Sequence, residues 1–197
     1  MSDEVAEGHT GRLLVAHPLM GDPNFRRTVV LIVKHGLEGA LGVVLNRPSE
    51  MAAEELVGSL RGLAAAPGVV HLGGPVGASS AICLARLRAG WEATVASGPG
   101  VPSLGHLFGS VGAVDLDSDL TRLGEAVDGV RLFAGYSGWA AGQLEEELDQ
   151  EGWFVLERSD DDVFSRRPSE LWKGVLGRQT RQKLALIANF PEDLSVN

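Results

Sequence analysis

The sequence predicts an α+β fold in a single domain, and three observations carry that prediction. Apolar runs of strand length and stretches of helical spacing follow one another without the regular βαβ alternation of a doubly wound sheet. Two strand-like runs, 28–33 and 41–45, are joined by a connection short enough for a hairpin. The chain has 197 residues, 44% hydrophobic and 22% charged, enough for one core, and it holds no internal repeat and no linker long enough to separate two domains.

Taken in order, residues 1–10 offer little to bury and are expected to form a disordered arm, with the domain running from 11 to 197 and order beginning near Arg12. Leu13-Leu14-Val15-Ala16 predicts a short strand. Thr28 to Val33 is a β-branched run suited to a strand buried on both faces, and Leu41 to Leu45 makes a third, across a Lys34–Gly39 loop with two glycines. Ser49 as N-cap, followed by Met51, Ala52, Glu55, Leu56 and Leu60 near helical spacing, predicts a helix over 50–60, closed by Gly62 and Pro67. Strands are expected at 69–72 and 81–85, flanking a Gly73-Gly74-Pro75-Val76-Gly77 turn. The glycine- and proline-rich stretch 98–112 has no assignable pattern. Asp117 or Ser118 is placed to cap a helix carrying Leu120, Leu123 and Val127, ahead of a strand at 130–134. A helix over 140–149 with Leu144 and Leu148 inward, a strand at 153–156, a helix from Pro168 through Leu176 and a last helix over 180–187 complete the pattern.

Composition narrows the function classes. The net charge of −9 and pI near 5.0 oppose tight direct binding to nucleic acid, which needs several clustered cations. Arg178, Arg181 and Lys183 form the densest basic stretch, and on a helix that spacing scatters along a solvated face. The acidic N-terminal residues lack the pattern of a secretory signal, and no 18-residue apolar run is present, so a cytoplasmic protein with no membrane role is expected. The single cysteine, Cys83, excludes an internal disulfide and sits in an apolar run as a small hydrophobe would.

No catalytic, cofactor or metal motif survives scrutiny. Gly135-Tyr136-Ser137-Gly138-Trp139 imitates a hydrolase nucleophile elbow between a strand and a helix, but Trp139 stands where the elbow needs glycine, and all five histidines precede Ser137. Asp115-Leu116-Asp117-Ser118-Asp119 opens like a calcium loop and then has Leu120 in place of the turn glycine and Ala126 in place of the bidentate glutamate. The glycines at 73, 74 and 77 lack the Lys-Ser/Thr of a phosphate loop.

Two dense blocks remain: Gly39-Ala40-Leu41-Gly42-Val43-Val44-Leu45-Asn46-Arg47-Pro48, and Gly135 to Trp139 running into Gly142-Gln143-Leu144-Glu145. With Pro18, Asp22-Pro23-Asn24-Phe25 and Gly73-Gly74-Pro75-Val76 in the same order, they resemble the bacterial YqgE/AlgH family over residues 11–178. That resemblance implies a mixed, branched β-sheet with a small barrel-like section surrounded by helices. Some family members carry the label of transcriptional regulator, and the family has no agreed molecular activity. Its members usually have alanine at position 137, a further argument against a serine nucleophile. At position 17 they have a small residue or methionine, so His17 is a departure.

Hairpin geometry supplies the candidate site. If 34–39 closes an antiparallel hairpin, Arg27 and Thr28 lie beside Asn46 and Arg47, and the two polar loops meet. Type I turn chemistry already explains Asp22-Pro23 but not why Asn24, Arg27, Asn46 and Arg47 are all polar at one end of an apolar hairpin; these four, together with Asp22, are the candidates for a polar pocket. The resemblance adds Gly73, Gly74, Tyr136, Trp139 and Gln143, which strand-end loops could gather into the same cleft, with Trp139 as a flat wall and Arg27 or Arg47 as an anion contact. The expected function is that of a regulatory protein binding an unidentified small molecule or protein partner, without a cofactor; the alternative is an enzyme using the same cleft.

Overall fold

The structure, a computed structural model, describes residues 8–97, 101–179, 184 and 187–190. Among the described residues, ten strands form one branched, mostly antiparallel sheet: β1 (Leu13–Ala16), β2 (Val29–Gly36), β3 (Gly39–Val44), β4 (Pro48–Ala52), β5 (Val69–Leu72), β6 (Val76–Leu87), β7 (Leu104–Phe108), β8 (Val111–Val114), β9 (Val127–Ala140) and β10 (Trp153–Leu156). Along the main path the order is β10-β1-β2-β3-β9-β6-β8-β7. β4 and β5 branch from it, β5 pairing parallel to β9 through His71↔Phe133 and Leu72↔Ala134. The sheet curls into a half-barrel, packed by the short helices α1 (Ala53–Leu56), α2 (Glu92–Ala96), α3 (Leu123–Ala126), α4 (Gln143–Asp149), α5 (Asp160–Val163) and α6 (Leu171–Gly177).

β9 organises this arrangement because its two halves have different partners. Gly39 to Gly42 of β3 pair with Ala140 to Ser137, whereas Ala81 to Leu87 of β6 pair with Ala134 to Val127. The change of partner falls at Gly135, which has φ +69. The chain leaving β5 crosses there: Gly73 N–H donates to Ala134 O at 2.8 Å, and Gly73 O accepts from Val44 N–H at 2.8 Å. A side chain at Gly73 or Gly74 would overlap the backbone of Gly135 or Tyr136, so the glycine pair permits a backbone-on-backbone crossing that no other residue could make.

Several expectations are corrected. The predicted helix over 50–60 is a strand to Ala52, paired with β5 through Pro48↔His71 and Ala52↔Val69, followed by single helical turns; the pairing available at the β5 edge outweighs the helical spacing. The hairpin turn is only Leu37-Glu38, since β2 and β3 extend to the Gly36↔Gly39 pair. The expected strands at 81–85 and 130–134 are the central parts of strands of 12 and 14 residues, and the Tyr136 to Trp139 block lies within β9 rather than at a strand-to-helix junction. The unassigned stretch contains the β7–β8 hairpin, and the helix ahead of β9 is a single turn. Of the last predicted helix, Leu184 and Ile187 are helical and most of the remainder lies outside the described residues. Residues 8–10, expected in the arm, are tied to β2 by His9 N–H to His35 Nδ1 and His35 N–H to Thr10 Oγ1, both 2.9 Å.

The interior contains unusual polar groups. Arg131 of β9 is 2% exposed and donates to three carbonyls, Ala66 at 2.6 Å, Ser165 at 3.0 Å and Val163 at 3.1 Å. Burial and the nearby Arg86 charge lower its pKa to about 10. His71 is fully buried, and burial followed by the charge of Arg131 lowers its pKa from 6.5 to about 4. The unfolded chain therefore takes up a proton on His71 in a range where the folded protein does not, and stability contributed above pH 6.5 is lost as pH falls towards 4. Between about pH 7 and pH 4, urea unfolding of the wild type should lose roughly 2–3 kcal/mol more than that of His71→Gln. Equal losses would show that His71 does not carry the acid sensitivity. Cys83 is buried, and burial pushes its thiol up to about 12, in keeping with a packing role.

Candidate functional site

The polar loops meet at the open end of the β2–β3 hairpin as the geometry requires, but their side chains are occupied with backbone. Asn46 bridges the strands, its Oδ1 accepting from Val29 N–H and its Nδ2 donating to Arg27 O, both at 2.8 Å. Arg47 donates to Pro23 O at 2.8 Å and to Arg26 O at 3.4 Å, clasping the Asp22 loop. That loop is a pair of tight turns: Asp22 Oδ1 accepts from Asn24 N–H, and Asp22 O accepts from the amides of Phe25 and Arg26. Arg27 has φ +54, lies with its guanidinium 4.6 Å over the Trp172 ring and donates to Phe190 O at 2.6 Å. Arg27 is half-buried against α6.

The loop so fixed delivers Phe25 to an aromatic cluster. Its ring lies 6.0 Å from Trp139 and 5.3 Å from Trp153, and those two indoles are 6.2 Å apart at 76°. Glu147, on α4, completes the arrangement. Its Oε2 accepts from both indole N–H groups, Trp139 at 3.0 Å and Trp153 at 2.8 Å, while Oε1 accepts from Gln143 Nε2 at 3.0 Å. Gln143 in turn accepts from Ala140 N–H, fixing the start of α4 against the end of β9. Above these groups a cleft of about 570 Å³ opens between the Asp22 loop and α4; Asp22, Phe25, Gln143, Glu147, Glu151 and Trp153 line it, with His17 and Met20 at its side. Among the described residues, its lining holds three carboxylates and neither lysine nor arginine.

Of the ten predicted residues, Asp22 and Gln143 line this cleft and Trp139 lies beneath it, 5% exposed. Asn24, Arg27, Asn46 and Arg47 brace the loop that forms one wall. Tyr136 and Trp139 are three residues apart on β9 and pack into different core clusters, so they do not share a wall. Gly73 and Gly74 belong to the strand crossing at Gly135. Ser137, fully buried, donates to Gly73 O at 3.2 Å and offers no accessible hydroxyl. Glu147 is not among the residues the sequence pattern singles out, although its i, i+4 relation to Gln143 places both on one side of the helix.

Fold and loops together define the class of molecule: a single α+β domain on a branched half-barrel sheet, with its motif residues concentrated where the sheet branches and where one hairpin opens. The chain belongs to the YqgE/AlgH family, since the AlgH-like family model matches residues 13–183. It is 47% identical over 190 residues to a UPF0301 protein of Streptomyces coelicolor, covering 95% of each chain. It is 46% identical over 187 residues to a UPF0301 protein of Mycobacterium tuberculosis, covering 95% of this chain and 90% of that one. Among solved structures, protein DIP2367 of Corynebacterium diphtheriae matches with a TM-score of 0.84 at 30% identity and 95% coverage of both chains. The AlgH protein of Pseudomonas aeruginosa matches with a TM-score of 0.66 at 26% identity, covering 97% of this chain and 98% of that one.

Proposed function

We propose that the protein is a ligand-binding regulatory module whose acidic, aromatic cleft takes a small cationic ligand bearing an ammonium group. The observation that carries this reading is Glu147. All three of its donors are neutral, two indoles and an amide, and it has no ion-pair partner among the described residues, so its negative charge is held in place without being compensated. Asp22 and Glu151 add to that field, and Phe25 and Trp153 supply aromatic surface of the kind that attracts an ammonium group. The volume, about 570 Å³, suits a small molecule. With a net charge of −9, regulation through a ligand or protein partner is a better fit than direct contact with nucleic acid. No observation favours the enzyme alternative, given the burial of Ser137.

The test is an isosteric one. Wild type and Glu147→Gln should unfold at nearly the same urea concentration, because the amide oxygen can still accept both indoles. Calorimetric titration with tetramethylammonium and spermidine should show saturable binding to the wild type that is weakened about tenfold or more by Glu147→Gln. Equal binding by the two proteins, or none by the wild type, would remove the proposal.

A further inference from the structure

A second cleft, of about 710 Å³, lies on the other side of the molecule's chemistry: its walls carry arginines, and it shares no lining residue with the acidic cleft. We infer that this cleft, between residues 64–66, the Arg86 end of β6 and the loop after α5, is a site for the phosphate group of a small organic molecule.

The argument starts from strand register. Arg86 faces Gly129 across the β6–β9 pair and Leu84 faces Arg131, which places Arg86 and Arg131 on the same face of the sheet. Gly129 and the alanines at 64–66 leave the floor between them without bulk; a Cβ on Gly129 would already stand 3.3 Å from that of Ala65. Arg131 lies behind that floor with no ion-pair partner among the described residues, and it holds two of the cleft's residues, Ala66 and Ser165, by their carbonyls. Its positive charge thus reaches the cleft through a short, low-dielectric path.

Arg86 forms the wall, with its guanidinium 4.9 Å over the Phe164 ring. Its carboxylate partner, Asp161 at 2.9 Å, is held much more loosely: the Asp161 side chain is 85% exposed and that of Arg86 32%. An entering dianion can take Arg86 while Asp161 turns to water at little cost. The other acidic lining residue, Asp128, faces Arg88 at 3.4 Å. Arg166 and Arg167 stand exposed at the mouth, Arg167 paired with Glu170 at 2.9 Å. Guanidinium groups match the oxygens of phosphate in bidentate fashion, and Arg86 and Arg166, lining one cleft in a chain of net charge −9, offer an anion that fit. The cleft is larger than a bare anion needs, leaving space for an organic body against Phe164 and the alanines.

The probe is inorganic pyrophosphate, titrated calorimetrically into the full chain at fixed ionic strength, with citrate as the carboxylate counterpart. Saturable pyrophosphate binding is expected, weakened about tenfold by Arg86→Gln and several-fold by Arg166→Gln, with citrate binding more weakly. Arg166 is exposed, so its variant keeps the test open should Arg86→Gln fold poorly. Glu147→Gln should bind pyrophosphate as the wild type does, which separates this site from the acidic cleft. Absence of saturable binding, binding by both arginine variants as tight as that of the wild type, or tighter binding of citrate would overturn the inference.

Discussion

Gly74→Ala is expected to abolish folding or to cost about 4 kcal/mol or more, among the largest effects of any single methyl in this chain. Gly74 has φ +154, and a Cβ there would stand inside 3.0 Å of the Tyr136 carbonyl carbon and oxygen and of Ser137 N. All three are backbone atoms of β9, the strand that both halves of the sheet share, so neither side of the contact can yield without breaking pairing. Gly174→Ala is the natural comparison: it lies within α6, a Cβ there would meet nothing within 4 Å, and the change should stabilise by about 0.5–1 kcal/mol. Urea unfolding followed by circular dichroism measures both. A folded Gly74→Ala with an unchanged midpoint would show that the crossing at Gly135 is looser than described.

Arg131→Leu should cost about 3 kcal/mol, the second large effect. Three carbonyls from two segments, Ala66 in one and Val163 and Ser165 in the other, lose their donor together, and that of Val163 is left buried and unpaired, which by itself costs about 1–3 kcal/mol. Removing an uncompensated buried charge offsets part of that loss. Arg131→Lys should not recover it, because one ammonium cannot reach three carbonyls that a planar guanidinium spans. An equilibrium midpoint for Arg131→Lys equal to that of the wild type would show that charge, rather than the fork of donors, ties these loops to β9.

These two residues illustrate what the sequence could and could not reveal. The α+β class, the β2–β3 hairpin and the meeting of the Asp22 and Asn46 loops were legible because β-branched runs and a glycine-bearing turn specify local pairing. The glycine pair at 73–74 was visible as a motif, but its reason lies in a crossing with Gly135, more than 60 residues away in the chain, and no local pattern encodes that approach. Arg131 was hidden for a similar reason: within an apolar strand it looks like an exposed edge residue, and only carbonyls from two segments distant in the chain explain its burial. The helix expected at 50–60 failed where a free β5 edge outweighed a weak propensity. In the cleft, the predicted arginines proved to brace the wall, and the carboxylate that dominates its chemistry was Glu147, one of three consecutive glutamates whose orientations composition cannot tell apart.

The central claim is that the cleft over Glu147 holds a cationic ligand, and the indole N–H resonances of Trp139 and Trp153 report on it directly, since both donate to that carboxylate. In ¹⁵N-labelled protein titrated with spermidine, the account predicts that these two indole signals and the amides of Asp22, Asn24, Phe25 and residues 143–147 shift together along one saturable curve. If spermidine leaves both indole signals in place while other parts of the protein respond, or if nothing shifts, the cleft is not the ligand site.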